Sequence, residues 1–333
     1  MLQSLDLSVL RDALNWHRAG HAVTLFTVVQ TWGSAPRPAG ALLAVRDDGV
    51  LSGSVSGGCV EDDLIVRVKA GGGDSAGPGK PALIVYGVSQ EEASRFGLPC
   101  GGTLRLLQEP LLDATWVAQL LARTAAHELV ARSVTLATGA VHLSSALPGQ
   151  TLQFDGATLR AVFGPQWRLL LIGAGQLSQA VARIAVMLDF DVLVCDPREE
   201  YAATLGSDQP GLRRIEGMPD DAVRALVSDA HTAIVALTHD PKLDDMALIE
   251  ALQSSAFYVG ALGSRRNQDA RKQRLAEHFD LSAEQLARLH GPVGLALGAK
   301  TPAEIAVAIV AEIVQIKNAV AGAAASSVGC ALP

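Results

Sequence analysis

Cys59 lies in Ser52-Gly53-Ser54-Val55-Ser56-Gly57-Gly58-Cys59-Val60-Glu61-Asp62-Asp63, a thiol placed after two glycines and just before a helical segment. Free N–H groups at a helix start favour thiolate over thiol, which would take this pKa below the ordinary ~8.5 and make the sulfur a nucleophile or a soft metal ligand. Glu61, Asp62 and Asp63 oppose this with negative charge in the same turn, so the direction of the net shift stays open. A second thiol, Cys100, lies in Gly97-Leu98-Pro99-Cys100-Gly101-Gly102-Thr103, again beside glycines that let the backbone approach a bound group. Two such loops point to a soft-ligand or sulfur-handling site. The bland alternative for each cysteine is a small buried hydrophobe in a turn. No CxxC pair or HxxxH spacing accompanies them, which argues against structural zinc. Cys195, inside a strand-like run, and Cys330, near the end, read as structural or incidental.

A different chemistry is suggested by Gly173-Ala174-Gly175-Gln176-Leu177-Ser178, which follows the apolar run Arg168-Leu169-Leu170-Leu171-Ile172 and opens a helical stripe of Leu177, Ala180, Val181, Ile184, Met187 and Leu188. The glycines allow a tight turn with close backbone approach, and the helix start offers N–H groups and a positive dipole end to a phosphate. Ser178 replaces the third glycine of the dinucleotide fingerprint. The acid expected ~20 residues further on is Asp196, suited to ribose hydroxyls. Nearby Arg198 suits a phosphate instead, which keeps a nucleotide such as NAD(P) open as ligand, as does a plain strand–helix turn that binds nothing. His239 and Asp240 follow another strand-like run, on the edge where parallel sheets place ligands. Asp244 and Asp245, one turn into the next helix, would orient a ligand, hold a divalent ion, or serve only as capping and surface groups. Arg265, in Gly263-Ser264-Arg265-Arg266, opens a later helix and would meet a phosphate or carboxylate, or form part of a solvated basic face.

The elements that must carry these residues fall into two halves. The chain has 333 residues, which at roughly 150 per domain means two globular units. Apolar residues make up 49% and charged ones 18%, so the chain folds around substantial cores. Its net charge of −7 offers no basic field to nucleic acid. The first thirty residues hold Asp6, Arg11, Asp12, His17 and Arg18, and the apolar stretch from Ile305 to Ala325 is broken by Glu312 and Lys317. Neither reads as a signal peptide or a membrane span, so the cytoplasm is the expected compartment, with all four cysteines as thiols. From Trp167 onward strand runs alternate with helical patterns, the grammar of a parallel sheet. The N-terminal half instead carries β-branched runs at 23–29, 41–45, 82–86 and 103–107 around a helix at 61–70, suggesting a mixed or antiparallel sheet. The fold class is therefore α/β: a mixed α+β domain at 1–112, a connecting region at 113–166, a Rossmann-like parallel-sheet domain at 167–320 and a flexible tail at 321–333.

Several strings taken in order, Gln30-Thr31-Trp32-Gly33-Ser34-Ala35-Pro36-Arg37-Pro38, Gly57-Gly58-Cys59-Val60-Glu61, Pro99-Cys100-Gly101-Gly102, Leu171-Ile172-Gly173-Ala174-Gly175 and Cys195-Asp196-Pro197-Arg198, resemble the XdhC/CoxI family of molybdenum-cofactor maturation proteins. The resemblance continues through Thr238-His239-Asp240-Pro241, Tyr258-Val259-Gly260-Ala261-Leu262-Gly263-Ser264-Arg265-Arg266 and His290-Gly291-Pro292-Val293-Gly294, and covers nearly all of the chain except the tail. It implies an accessory factor for xanthine dehydrogenase or a related molybdenum hydroxylase. Such a factor binds the molybdenum cofactor (molybdopterin) and protects it while a cysteine desulfurase supplies the sulfur of a terminal sulfido ligand. It then hands the cofactor to the apo molybdenum hydroxylase. On this resemblance Cys59, with Cys100, is the expected catalytic sulfur pair, Cys59 facing the metal. Gly57, Gly58, Gly173, Gly175, Ser178, Asp196, His239, Asp240 and Arg265 are the expected cofactor-binding set, in a homodimer whose halves pack around one cleft. The competing reading is an NAD(P)-dependent oxidoreductase using the same glycine turn; no Tyr/Lys pair stands beside that turn, although His239 could act as acid or base. A third is a partner-binding scaffold.

Overall fold

The computed structural model describes residues 4–31, 37–71, 79–87, 103–147, 150–203, 211–226 and 229–328. Two units emerge, Met1–Pro165 with Ala324–Pro333, and Gln166–Ala323. In the first, α1 (Ser4–Arg18) precedes β1 (Val23–Thr31), β2 (Leu42–Arg46), β3 (Leu51–Gly53), α2 (Cys59–Lys69), β4 (Ala82–Tyr86) and β5 (Leu104–Pro110). The five strands form one sheet in the order β3-β2-β1-β5-β4, and every pairing is antiparallel. Alternation along β1 explains how the sheet is covered. Val23 and Leu25 join the cluster of Leu10, Ala13 and Leu14 on α1, whereas Phe26 and Val28 join Val60 and Leu64 on α2.

Residues 115–163, which the sequence leaves unassigned between the halves, complete this first core. Helix α3 (Thr115–Ala125) adds Trp116, Val117 and Leu120 to the α1 cluster. A second antiparallel sheet follows in the order β7-β6-β9-β8, built from β6 (Val130–Thr135), β7 (Val141–Ser145), β8 (Gln153–Phe154) and β9 (Thr158–Phe163). Arg132 of β6 makes a buried two-pronged pair with Glu109 of β5 and lies 4.1 Å from the centre of the Trp116 ring.

The turn into α2 is organised by one carboxylate. Glu61 accepts six hydrogen bonds, from Ser54 Oγ, Val55 N, Ser56 N, Ser56 Oγ, Gly57 N and Gly58 N, at 2.5–3.1 Å. Burial pushes this carboxyl up, but the Ser56, Ser54 and Gly58 donors outweigh it and hold the pKa at about 2.

The second unit is the expected parallel-sheet domain. Its strands are β10 (Arg168–Ile172), β11 (Asp191–Cys195), β12 (Leu212–Ile215), β13 (Thr232–Ala236), β14 (Tyr258–Ala261) and β15 (Leu289–His290). They pair in parallel in the order β12-β11-β10-β13-β14-β15. That is the doubly wound order 3-2-1-4-5-6, whose topological switch falls between β10 and β13. The connecting helices are α4 (Gln176–Met187), α5 (Glu199–Ala202), α6 (Pro219–Ala225), α7 (Pro241–Gln253), α8 (Arg265–Phe279) and α9 (Ala283–Ala287), and α10 (Pro302–Val328) closes the chain. Leu169 and Leu171 of β10 pack with α4 and α10, while Leu170 and Ile172 pack with α6, α7 and α8. Burial on both faces is why this strand reads as an unbroken apolar run. Helix α10 takes in much of the stretch the sequence reading gave to a flexible tail. Among the described residues no helix is long and apolar enough to cross a membrane.

Helices α7 and α8 are tied by buried charge. Arg271 reaches Asp245 (3.0 Å), Asp244 (3.2 Å) and Gln268 Oε1 (3.2 Å), and Arg274 Nε meets Asp245 at 2.8 Å. Removing one partner strands the others away from water.

Two outcomes follow. Arg271→Ala should lower the unfolding free energy by about 3–5 kcal/mol, read from urea denaturation. Glu61 has a folded-state pKa near 2, below the ~4.3 of an unfolded chain. Its contribution is therefore fully present above pH ~4.3 and lost as pH falls towards 2; it amounts to no more than about 3 kcal/mol. Glu61→Gln should be less stable than the parent at pH 7, with a flatter decline in stability from pH 5 to pH 2.

Candidate functional site

The second unit's glycine turn sits at the carboxyl end of β10, beside the switch point. Gly173 has φ +108°, and a Cβ there would lie 3.1 Å from Thr238 N and 3.2 Å from Leu237 C. Both the left-handed backbone and the passing exit of β13 require glycine. Gly175 is different. It caps α4 at φ −68° and ψ 180°, a conformation open to any residue, and a Cβ there would meet nothing within 4 Å. Nothing within the described chain explains a glycine at this point, whereas close approach by an anion to the helix start would. Ser178, one turn into α4, is 1% exposed, and its hydroxyl has no hydrogen-bond partner among the described residues.

The acid at the end of β11 is engaged by its own chain. Asp196 accepts from Ala174 N (2.8 Å), Arg198 N (3.1 Å), Arg198 Nε (2.8 Å) and Arg198 Nη2 (2.8 Å), and its side chain has no exposed surface. Burial pushes the carboxyl up, yet the Arg198 and Ala174 donors outweigh it and hold it below the ordinary carboxylate range. The same pairing raises Arg198, which also lies 4.1 Å from the Tyr201 ring centre. Asp196 thus clamps the glycine turn and aligns Arg198, with no oxygen exposed to a ribose.

Next to the turn, His239 is exposed and adopts φ +63°, rare for a residue with a side chain. Asp240 caps α7 by accepting from Lys242 N at 2.9 Å, and its charge is felt by Arg198. The 173–175, 196–198 and 238–240 segments therefore adjoin at one end of the sheet. Arg265 is exposed at the first position of α8, whose cap is Ser264, after the neighbouring strand β14. Asp244 and Asp245 are corrected by the structure. Asp244 accepts from Thr238 N (3.1 Å) and Thr238 Oγ1 (2.7 Å) and pairs with Arg271, while Asp245 pairs with Arg271 and Arg274. Burial pushes the Asp244 carboxyl up despite those partners. They brace the fold; among the described residues no cluster of three metal-ligating side chains occurs.

In the first unit Gly57 (φ +89°) and Gly58 (φ +157°) turn the chain into α2, whose first residue is Cys59. The Cys59 side chain, Cys100 and Trp32 to Pro36 lie outside the described residues. The N–H groups of Gly57 and Gly58 are taken by Glu61, so they are not left for the thiol. Sequence reasoning treated Glu61 only as a source of repulsion and missed this role. The available signal was its position, three residues after the helix cap, where a carboxylate folds back onto the turn. Cys195 is buried and its thiol, raised by burial to about 11, donates to Gly217 O; it is structural.

Each unit carries a concavity. One of about 230 Å³ in the first unit rests on Glu109, Arg132 and Trp116, and an apolar groove of about 490 Å³ runs beside Met246, Ile249 and Phe279.

Comparison with known proteins agrees across both units. Residues 16–83 match the XdhC and CoxI family and residues 169–313 match the XdhC Rossmann domain. The chain is 30% identical over 316 residues to a protein of Escherichia coli (strain K12) named molybdenum cofactor insertion chaperone PaoD, covering 93% of this chain and 88% of that one. It is also 30% identical over 322 residues to a probable xanthine dehydrogenase subunit of Bacillus subtilis (strain 168), covering 89% and 94% respectively. A crystal structure described as a xanthine dehydrogenase from Bacillus halodurans shares the fold, with TM-score 0.74 and 23% identity over 94% of this chain and 96% of that one. The chain belongs to the XdhC and CoxI family, with a Rossmann domain as its second unit.

Proposed function

We propose that this protein takes the molybdenum cofactor as cargo, keeps it while a cysteine desulfurase provides sulfur for its terminal sulfido ligand, and delivers it to an apo molybdenum hydroxylase of the xanthine dehydrogenase type. Family membership and a relative named as a molybdenum cofactor insertion chaperone support the coarse role. The observation that carries the binding reading is Gly175, a glycine without internal cause at the start of α4. The cofactor's phosphate would sit there on backbone N–H groups, with His239, Asp240 and Arg265 as further contacts. Its molybdenum is a soft metal suited to thiolate, and Cys59, with Cys100, is our assignment for that end.

A nicotinamide-dependent oxidoreductase is the weaker reading. An NAD site needs an acid free to accept from a ribose hydroxyl, and Asp196 has both oxygens engaged and no exposed surface.

Three measurements test this. Produced in a molybdopterin-making host and purified without oxygen, the wild type should retain pterin and molybdenum, and Cys59→Ser should lose most of the metal. Gly175→Val should melt within a few degrees of the parent yet retain at least tenfold less pterin. Isothermal titration with NADH should show no saturable binding below millimolar concentration; tight binding with hydride transfer to a carbonyl would replace the proposal by the oxidoreductase.

A further inference from the structure

Above the buried charge that joins α7 to α8, the surface between the two helices is apolar. Along α7, Lys242, Asp245, Met246 and Ile249 recur at i, i+3, i+4 and i+7 and form one stripe. Arg274 and Phe279 of α8 face them across an open groove of about 490 Å³ that includes Pro241 at the start of α7. Met246 and Phe279 pack with neither core of this unit, and Ile249 packs only partly buried against one of them. Phe279, the last residue of α8, is 46% exposed. Single exposed apolar side chains are ordinary on a protein surface; three gathered in one groove mark a place for a partner.

Charge is unevenly distributed along this groove. Asp245, the acid on its wall, is engaged inside the chain: Arg271 Nε holds one oxygen at 3.0 Å and Arg274 Nε the other at 2.8 Å. Arg274 uses Nε and Nη2 on that carboxylate, so its Nη1 makes no hydrogen bond among the described residues, and its side chain is 38% exposed. Lys242 is exposed, and its backbone N–H, not its ammonium, meets Asp240. The other acids of these helices do not answer the two cations. Asp244 is paired with Arg271, Glu250 with Arg224, and Glu277 accepts from Gln273. Asp269, five residues before Arg274, falls on another face of α8. Lys242 and Ile249 are seven residues apart, about 10 Å along the helix. The groove is therefore cationic towards Pro241 and apolar towards Ile249 and Phe279, on a chain whose net charge is −7.

A stripe of this spacing between two parallel walls is a seat for a third helix, whose own side chains recur at the same intervals. The cationic end calls for acids on that helix, and opposite charge across an interface fixes its direction and register. We propose that the groove receives an amphipathic helix of a protein partner. Its apolar residues, at i, i+3 and i+7, would lie against Met246, Ile249 and Phe279, and its carboxylates, one to two turns away, against Lys242 and Arg274 Nη1. The groove begins at Pro241, two residues after His239, so the docked partner would stand beside the sheet edge that carries the glycine turn. The proposal holds whatever that turn binds.

The probes are three synthetic helical peptides on an alanine scaffold, titrated into the full chain and followed by fluorescence anisotropy and methyl NMR. The first carries leucines at i, i+3 and i+7 with two glutamates two turns away. In the second lysines replace the glutamates, and in the third serines replace the leucines. The first should bind saturably and move the Met246 and Ile249 methyl resonances; the second should bind at least tenfold more weakly, and the third not at all. Met246→Glu should weaken the first peptide at least tenfold and melt within a few degrees of the parent, because that side chain packs with no core. Lys242→Glu should narrow or reverse the preference for glutamate over lysine. Equal binding of the glutamate and lysine peptides, binding that leaves the Met246 methyl unmoved, or no binding of either overturns the proposal. A wild-type dimer that Met246→Glu dissociates in sedimentation equilibrium would give the groove to a second copy and overturn it too. Dodecanoate moving the Met246 methyl where no peptide does would give it to a small amphiphile, with the same result.

Discussion

The second unit depends on one close passage. Where β10 ends, the chain must turn so close to the backbone of Leu237 and Thr238 that a Cβ on residue 173 would lie only 3.1–3.2 Å from it. Gly173 makes that passage possible, and Asp196 then secures it by accepting the Ala174 N–H. Two strand exits are brought together at the point where the strand order reverses, and the start of α4 opens between them. A side chain at 173 would separate those exits and take apart the one edge of the domain on which backbone donors, Arg198 and His239 gather.

Acids are used as internal fasteners throughout. Glu61 collects the N–H groups of the turn that carries Cys59, Asp196 holds the glycine turn, and Asp244 with Asp245 ties α7 to α8 through Arg271. In each case several donors converge on a poorly solvated carboxylate, and at Glu61 and Asp196 they outweigh the cost of burying the charge. The consequence for function is one of subtraction. Glu61, Asp196, Asp244 and Asp245, which the sequence offers as ribose, metal or repulsive groups, are engaged within the chain, and the sheet edge also carries backbone, the Arg198 and Arg265 guanidinium groups and the His239 imidazole.

Much of this was legible in the residues. The unbroken Leu169–Ile172 run announced a strand covered on both faces, and the helical stripe from Leu177 to Leu188 announced its partner. Period-two contacts in Val23 to Val28 likewise gave the first sheet. A helix and a few short strands were legible between Asp113 and Gln166, but not the half they belong to, because strands of two to six residues set no clear period and their membership of the first core rests on Trp116 and Phe163 meeting α1. Spacing placed Asp196 in the right loop but not its orientation, which depends on Arg198 two residues later.

The most direct measurement is amide NMR of the full chain during titration with a pterin phosphate. The account requires the Gly175, Gln176 and Leu177 N–H resonances to move downfield together, saturating with the ligand, as donors to an anion do. Saturable binding that leaves those three amides in place would contradict it.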